Sequence, residues 1–431
     1  MRPMLQVALD LMHLRRAEEI AREAVEGGAD WIEAGTPLLK SEGAETLRVL
    51  RKAFPGHVIV ADMKTMDVGG FEVEIAAKAG ADVITIMGMA DDGTIAEAVA
   101  TAKRYGAKIM VDMMSVDALE KRCQEAQALG ASYICVHMGI DEQMHGHGAP
   151  LERIKRAAGA CGLPIAAAGG LTTETVVAAM QAGASILIVG GAIIKAKDVR
   201  SATQSVRKAI DSGVAIPSTD ARKFSAATLR EAFSKVSAPN VADAQHKKGV
   251  MLGLSLRNGH GVKMCGPALT VQTAKGDWAK PVEATERANP GDVIVIDAGE
   301  GELACWGELA GFSAKVRGVA GVVIDGAVRD LDGIIDMQLP LFSRHVTPHA
   351  GEPKGYGGIG LEITVGGQLV HTGDWIIGDE SGIVVVPQEQ AVEVANRAVD
   401  VMERENRIRE EIKKGRPLSS VLELERWEQV R

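Results

Sequence analysis

The residues of this chain best suited to chemistry sit where short apolar runs end. Asp10 closes LQVALD, Glu33 lies in DWIEAG, Asp62 and Lys64 end VIVADMK with Asp67 just beyond, Asp112 lies in KIMVDMM and His137 in YICVHMG. Two more runs finish in glycine pairs, Gly169-Gly170 after PIAAA and Gly190-Gly191 after ILIV. One carboxylate in such a place serves as readily as a helix cap. Five acids, a lysine and a histidine at matching positions of successive runs ask for a common purpose. Period-two alternation puts Asp62 and Lys64 on one side of their strand, and a lysine buried there needs carboxylate partners. Glu33 on the neighbouring run reaches the same point as Asp62. Two carboxylates with open positions suit Mg²⁺ (or Mn²⁺), which completes its shell with substrate and water. The glycine pairs free backbone N–H groups to cradle a phosphate.

The elements that must position these groups repeat. Eight apolar runs begin at residues 5, 30, 58, 82, 108, 133, 164 and 186, separated by amphipathic stretches such as AEEIAREAVEGG and GTIAEAVATAKRYG. Many of these stretches close on a glycine suited to a left-handed cap. Near-continuous apolar strands belong in a parallel sheet covered on both faces, and eight β-α units in about 210 residues close into a (β/α)₈ barrel with its chemistry at the carboxyl ends of the strands. A doubly wound open sheet would offer a phosphate-binding turn after its first strand, where this chain has LDLMH.

The rhythm stops near residue 212, so the barrel domain is expected over residues 1–212, a linker over 213–224 (GVAIPSTDARKF) and a second domain over 225–431. The second domain reads as a mixed α/β sandwich: a helix in SAATLREAFSKV, a helix capped by Asn240, strands in GPALTVQTA, DVIVIDAGE and GVVIDG, turns at Gly373-Asp374 and Gly378-Asp379, and a charged helix over about 388–415. Its informative stretch is Glu308, twenty intervening residues, then Arg329-Asp330 directly after an apolar strand. A guanidinium there can fork onto a carboxylate while the neighbouring acid holds a metal.

Composition narrows the function classes. Lys and Arg number 48 against 57 Asp and Glu. The deficit is even, −4 over residues 1–212 and −5 over the remainder, so no half offers the basic footprint of a nucleic-acid binder. No apolar run approaches the roughly 20 residues that span a bilayer. The opening MRPMLQVALDLMHLRR is broken by Asp10 and His13 and lacks a small-residue cleavage site, so the chain reads as cytoplasmic, without a membrane partner. The five cysteines form no C-x-x-C pair and read as small buried hydrophobes. His145 and His147, in MHGHGAP, read as solvent-exposed loop residues.

The runs LQVALDL, WIEAGTPLLKSEG, IVADMKTMDVGG, ICVHMGIDEQ, AAAGGLTTET and ILIVGGAIIKAKD resemble the 3-hexulose-6-phosphate synthases of the orotidine-monophosphate decarboxylase suprafamily, over about residues 4–211. Asp62-x-Lys64-x-x-Asp67 is the most specific of these motifs. The resemblance implies an Mg²⁺-dependent condensation of formaldehyde with ribulose 5-phosphate, or its reverse. It assigns Glu33 and Asp62 to the metal, Lys64 to stabilising an enediolate, His137 to proton transfer and Asp67 to the neighbouring subunit's site in a homo-oligomer. The sister 3-keto-L-gulonate-6-phosphate decarboxylases share these residues. They typically carry Glu, Arg and Thr where this chain has Asp112, Ile140 and Ala168, and Met138 stands where Thr is expected. Residues 225–395 resemble the RraA-like family, which includes class II 4-hydroxy-4-methyl-2-oxoglutarate aldolases and proteins named for inhibiting a ribonuclease. That resemblance implies either a metal-dependent lyase or a non-catalytic binding module. In the lyase, Asp330 would be the metal acid, Arg329 the substrate contact and Glu308, where Asp is commoner, an acid acting through water.

Overall fold

The computed structural model describes residues 2–145, 149–217, 223–258, 260–422 and 424. The chain divides into two compact units, one of Met1–Gln143, His147–Lys223 and Glu403–Arg431, the other of Met144–Gly146 and Phe224–Met402. Gly146–Gly148, which include His147, and residues 218–222 of the expected linker lie outside the described residues.

The first unit is a closed barrel of eight parallel strands in sequence order: β1 (Met4–Leu9), β2 (Trp31–Ala34), β3 (Val58–Thr65), β4 (Val83–Met87), β5 (Lys108–Asp112), β6 (Tyr133–His137), β7 (Ile165–Ala168) and β8 (Ala184–Val189). Each strand is apolar on both faces because both are covered. Leu5, Val7 and Leu9 of β1 join the layer beneath the helices, while Ala8 points inward with Trp31, Val60, Met110, Cys135, Ala166 and Ile186. Small residues on β1 and β7 make room for Trp31 and Met110, so the interior is a packed core. The outer helices follow the 3.6-residue period: Leu14–Glu26 buries Ala17, Ile20, Ala21 and Ala24. The helix Asp92–Tyr105 begins where the Asp91 side chain accepts the Thr94 N–H and ends on Gly106 at φ 73°. Core and caps thus fix the strand ends, where the polar residues emerge.

In the second unit the main sheet runs, edge to edge, Ser255–Leu256, Leu341–Val346, Gly321–Val328, Val293–Asp297, Met264–Gln272, Trp375–Asp379, Gly382–Val386 and Val250–Met251. Its centre is parallel, and its Trp375–Asp379 side is antiparallel. Separate apolar clusters flank it, one around Phe233, Ile377 and Val394, another around Ile296, Trp306 and Ile324. Two expectations fail here. The helix Ala238–Ala244 is capped by Ser237, with Asn240 three residues in as the returning partner of a capping box, because Ser237 already supplies the acceptor oxygen. Gly378-Asp379 makes no turn. Gly378 lies inside a strand, where a Cβ would come within 2.8 Å of Met264 and 3.0 Å of the Phe342 ring, so the glycine serves close packing. The charged helix spans Ala391–Lys413, of which the residues through Met402 belong to this unit and those from Glu403 to the first. Among the described residues, no helix is long and apolar enough to cross a membrane.

Candidate active site

At the end of β3 the simple alternation breaks. Pairing with β4 shifts register between Ala61 and Thr65, and Lys64 takes φ 48°, a left-handed conformation that costs a non-glycine residue on the order of 1 kcal/mol or more. The Lys64 N–H donates to Thr85 Oγ1 at 3.2 Å. Local strain re-aims the side chain: Nζ lies 3.0 Å from Asp62 Oδ2 and 3.3 Å from Asp112 Oδ2. Asp62 is fixed from two sides, by the Thr36 hydroxyl on Oδ2 at 2.7 Å and the Thr85 hydroxyl on Oδ1 at 2.8 Å. Burial opposes the charge on Lys64, yet Asp62 and Asp112 together raise its pKa above the ordinary lysine value. Lys64 is therefore a permanent ammonium and a poor base.

Asp112 joins this pair to the histidine. Its Oδ2 lies 2.8 Å from His137 Nδ1 and its Oδ1 accepts the Met114 N–H at 2.9 Å. Burial would raise the Asp112 carboxyl, but the bond and charge of His137, then the charge of Lys64, hold it below its ordinary value. With Nδ1–H donated to Asp112, Nε2 is left as the basic ring nitrogen. Cys135, on the same inward face of β6, is held neutral: burial pushes its thiol well above the ordinary value, and Asp112 adds to the shift.

Asp10, Glu33 and Asp62 form an acidic group beside Lys64. Burial pushes the Glu33 carboxyl well above its ordinary value, and the charges of Asp62 and then Asp10 push the same way, against a hydrogen bond from Gln6 Nε2 and the charge of Lys64. Asp10 is raised by burial and by Asp62. The charge of Asp62 thus adds to the rise at both Glu33 and Asp10, and oxygen donors crowded in this way fit a divalent cation such as Mg²⁺, whose charge would offset the repulsion. This crowding predicts that Glu33→Gln, though it removes a donor, raises the unfolding midpoint of the chelator-treated protein near neutral pH. A carboxyl whose folded value exceeds its unfolded one takes up a proton on folding. Its contribution therefore weakens as pH rises from the unfolded value through the folded one, and Gln abolishes that loss. Denaturant melts from about pH 5 to about pH 8 should show the variant's advantage growing with pH; a constant or reversed difference would count against the crowding.

The glycine pairs follow β7 and β8. Gly169 has φ 96°, and a Cβ there would lie 2.4 Å from the Met138 carbonyl oxygen, so both the turn and the contact with the β6 loop require glycine. Gln143, a residue the sequence did not single out, ties the two loops: its Nε2 donates to the Met138 carbonyl at 2.9 Å and its Oε1 accepts the Gly170 N–H at 3.0 Å. Gly190 precedes the short helix Gly191–Ile194, and a Cβ on Gly190 would lie 3.4 Å from Asp10 Oδ2. Asp67 stands apart, exposed, its Oδ1 accepting the Val68 N–H at 2.7 Å. His145 is exposed, and the described cysteines are free thiols.

In the second unit Glu308, Arg329 and Asp330 come together at the carboxyl end of the strand Gly321–Val328. Asp330 Oδ2 accepts the Glu308 N–H at 3.3 Å and lies 3.4 Å from Arg329 Nε. The Glu308 carboxyl lies across Gly333. All three acidic and basic side chains are exposed, and Asp330 itself sits at φ 58°, a second left-handed non-glycine residue at a candidate site.

Comparison with known proteins agrees with this division. Residues 3–206 match the orotidine 5'-phosphate decarboxylase / HUMPS family, and residues 238–385 match the RraA-like family, described as Aldolase/RraA. The chain is 41% identical over 206 residues to a protein of Mycobacterium gastri named 3-hexulose-6-phosphate synthase, covering 48% of this chain and 99% of that one. It is 40% identical over 211 residues to the protein of the same name from Bacillus subtilis (strain 168), again covering 48% of this chain and 99% of the relative. A crystal structure of a 3-hexulose-6-phosphate synthase aligns with TM-score 0.45 and 40% identity, over 48% of this chain and 99% of its own.

Proposed function

The chain belongs, through its barrel, to the orotidine 5'-phosphate decarboxylase / HUMPS family, and from that membership we propose that the barrel catalyses the aldol condensation of formaldehyde with D-ribulose 5-phosphate to 3-hexulose 6-phosphate, or the reverse. The observation that carries this reading is the chain of contacts Asp62–Lys64–Asp112–His137. It sets a fixed cation and an oriented base side by side. The reaction must remove a proton from C1 of the pentulose, next to a ketone, join C1 to the formaldehyde carbon, and deliver a proton to the former aldehyde oxygen. His137 Nε2 takes the first proton, with Asp112 stabilising the imidazolium that results. Lys64 adds fixed positive charge for the enediolate, and the glycine loops hold the phosphate. Glu33 and Asp62 would hold a divalent ion, Mg²⁺ or Mn²⁺, which supplies electrostatic stabilisation of charge on the sugar oxygens. Asp112, Ile140 and Ala168 argue against the sister decarboxylase reading.

The test is direct. The full chain should consume formaldehyde only when ribulose 5-phosphate and a divalent metal are both present, and exhaustive EDTA treatment should abolish that consumption until metal is returned. Undiminished activity in EDTA would refute the metal's role, and release of carbon dioxide from 3-keto-L-gulonate 6-phosphate without formaldehyde fixation would favour the decarboxylase.

For the second unit we propose a metal-dependent lyase acting on a small 2-oxo acid, supported by the pairing of Arg329 with Asp330, on which the Glu308 backbone N–H also bonds. Cleaving a bond β to a ketone leaves an enolate, and a cation beside Asp330 with Arg329 on the carboxylate suits that charge. With Mg²⁺ present, oxaloacetate decarboxylation above the metal-only rate is expected. Arg329→Lys, which keeps charge but loses the planar fork, should lower it about tenfold or more. No turnover on a panel of 2-oxo acids would favour the binding-module reading.

A further inference from the structure

The proposed reaction leaves one polarizable group at the barrel mouth unused. Cys135 Sγ, an Asp112 carboxylate oxygen and a His137 ring nitrogen all lie within 4.8 Å of one another. Cys135 is buried among the inward-facing residues of the barrel, two residues before His137 on the same face of β6. We propose that Asp112, Cys135 and His137 form a second metal site, selective for thiophilic divalent ions of the zinc class, and that its occupation switches the barrel off.

The donor set makes the distinction. Glu33 and Asp62 offer oxygen alone, the choice of a hard ion, whereas sulfur, nitrogen and oxygen together select borderline-soft ions and reject Mg²⁺. Zinc bonds of about 2.0–2.3 Å place tetrahedral ligands roughly 3.3–3.8 Å apart, so the Asp112–His137 contact must open by roughly half an ångström or more and a pair near the outer limit must close by about an ångström. Lys64, at 3.3 Å from Asp112 Oδ2, is the competitor the metal must displace.

Binding is a ligand exchange with no change of oxidation state. The Cys135 S–H bond breaks, its proton leaves to solvent, and a sulfur–metal bond forms. When Nδ1 of His137 gives its lone pair to the metal, the proton it shared with Asp112 relocates to Nε2. A protonated Nε2 cannot accept the substrate's proton, and Asp112 no longer neutralises Lys64. The switching half of the inference rests on the synthase reading; the binding half does not.

Cadmium ion added to the substrate-free full chain tests the binding half by its sulfur-to-metal charge-transfer absorption. Wild type should show one more equivalent of the band than Cys135→Ala; the difference is needed because half-exposed Cys161 is a second thiol target. Cys135→Ser serves if the alanine variant folds poorly, and Cys305→Ala should keep the full band. In the assay, zinc should inhibit Mg²⁺-supported formaldehyde consumption, and Cys135→Ala should need at least about tenfold more zinc while keeping its basal rate within about twofold. Equal bands in wild type and both Cys135 variants would overturn the site. A lost band with unchanged zinc inhibition would overturn the switch. Failure to fix formaldehyde with the cadmium difference intact would instead count against the synthase reading alone.

Discussion

Asp62→Ala is expected to lower formaldehyde-fixing turnover by at least about a hundredfold, the scale of losing one preorganised electrostatic stabiliser in a dry site. The carboxylate is proposed to hold the metal, and it is one of two that keep Lys64 charged and aimed. With Asp62 gone, Lys64 would keep only Asp112 as an ion-pair partner in contact, and the Thr85 hydroxyl would lose its acceptor, while the Thr36 hydroxyl would keep the backbone carbonyl of residue 62. Folding should survive, because the same change removes the charge that adds to the rise at Glu33 and Asp10. Circular dichroism and a melting midpoint near wild type, with steady-state rates measured at saturating Mg²⁺, separate catalytic loss from unfolding. A folded variant retaining more than about a tenth of wild-type turnover would remove Asp62 from the centre of the mechanism.

The strand framework was open to reading because each barrel strand is buried on both faces and so writes itself as an apolar run; the runs at 58–64, 108–114 and 133–139 became β3, β5 and β6 with their polar ends in place. What alternation could not foretell is the left-handed Lys64. Nothing in VIVADMK signals that pairing slips after Ala61, since the cause is tertiary: Thr85 on β4 takes the Lys64 N–H. Alternation nonetheless named the right neighbour for Lys64. Gln143 was passed over because a lone glutamine in a helix carries no spacing signal; only the folded loops bring it against Met138 and Gly170. Asp330 at φ 58° is a milder case: aspartate tolerates the left-handed region, but nothing in AVRDLD says which residue takes it.

Asp112→Asn should cost on the order of a thousandfold in turnover although it changes almost no volume. Three donors converge on this side chain: His137 Nδ1–H, Lys64 Nζ and the Met114 N–H. A carboxylate accepts all three, whereas an amide has one acceptor oxygen and two N–H donors of its own. If the oxygen turns to Met114, the amide nitrogen faces His137, and the ring can meet it only by presenting Nδ1 as an acceptor. Nε2 then carries the proton and the base is lost, as happens when a triad's carboxylate is replaced by its amide. If the oxygen turns to His137 instead, the amide N–H is set against the Met114 N–H and Lys64 loses an ion-pair partner. The loss should fall on the rate at saturating substrate, with a smaller change in KM, because binding contacts to the phosphate loops remain. Stability offers a second check. Asp112 lies below its ordinary value, so the stability it supplies is complete above the ordinary carboxylate range and lost as pH falls through the lowered value. Wild type should lose stability steeply in that acid range and the variant less so. An Asp112→Asn protein within about fivefold of wild-type turnover would show that His137 needs no carboxylate to present its basic nitrogen, and the proton-transfer assignment would have to move elsewhere.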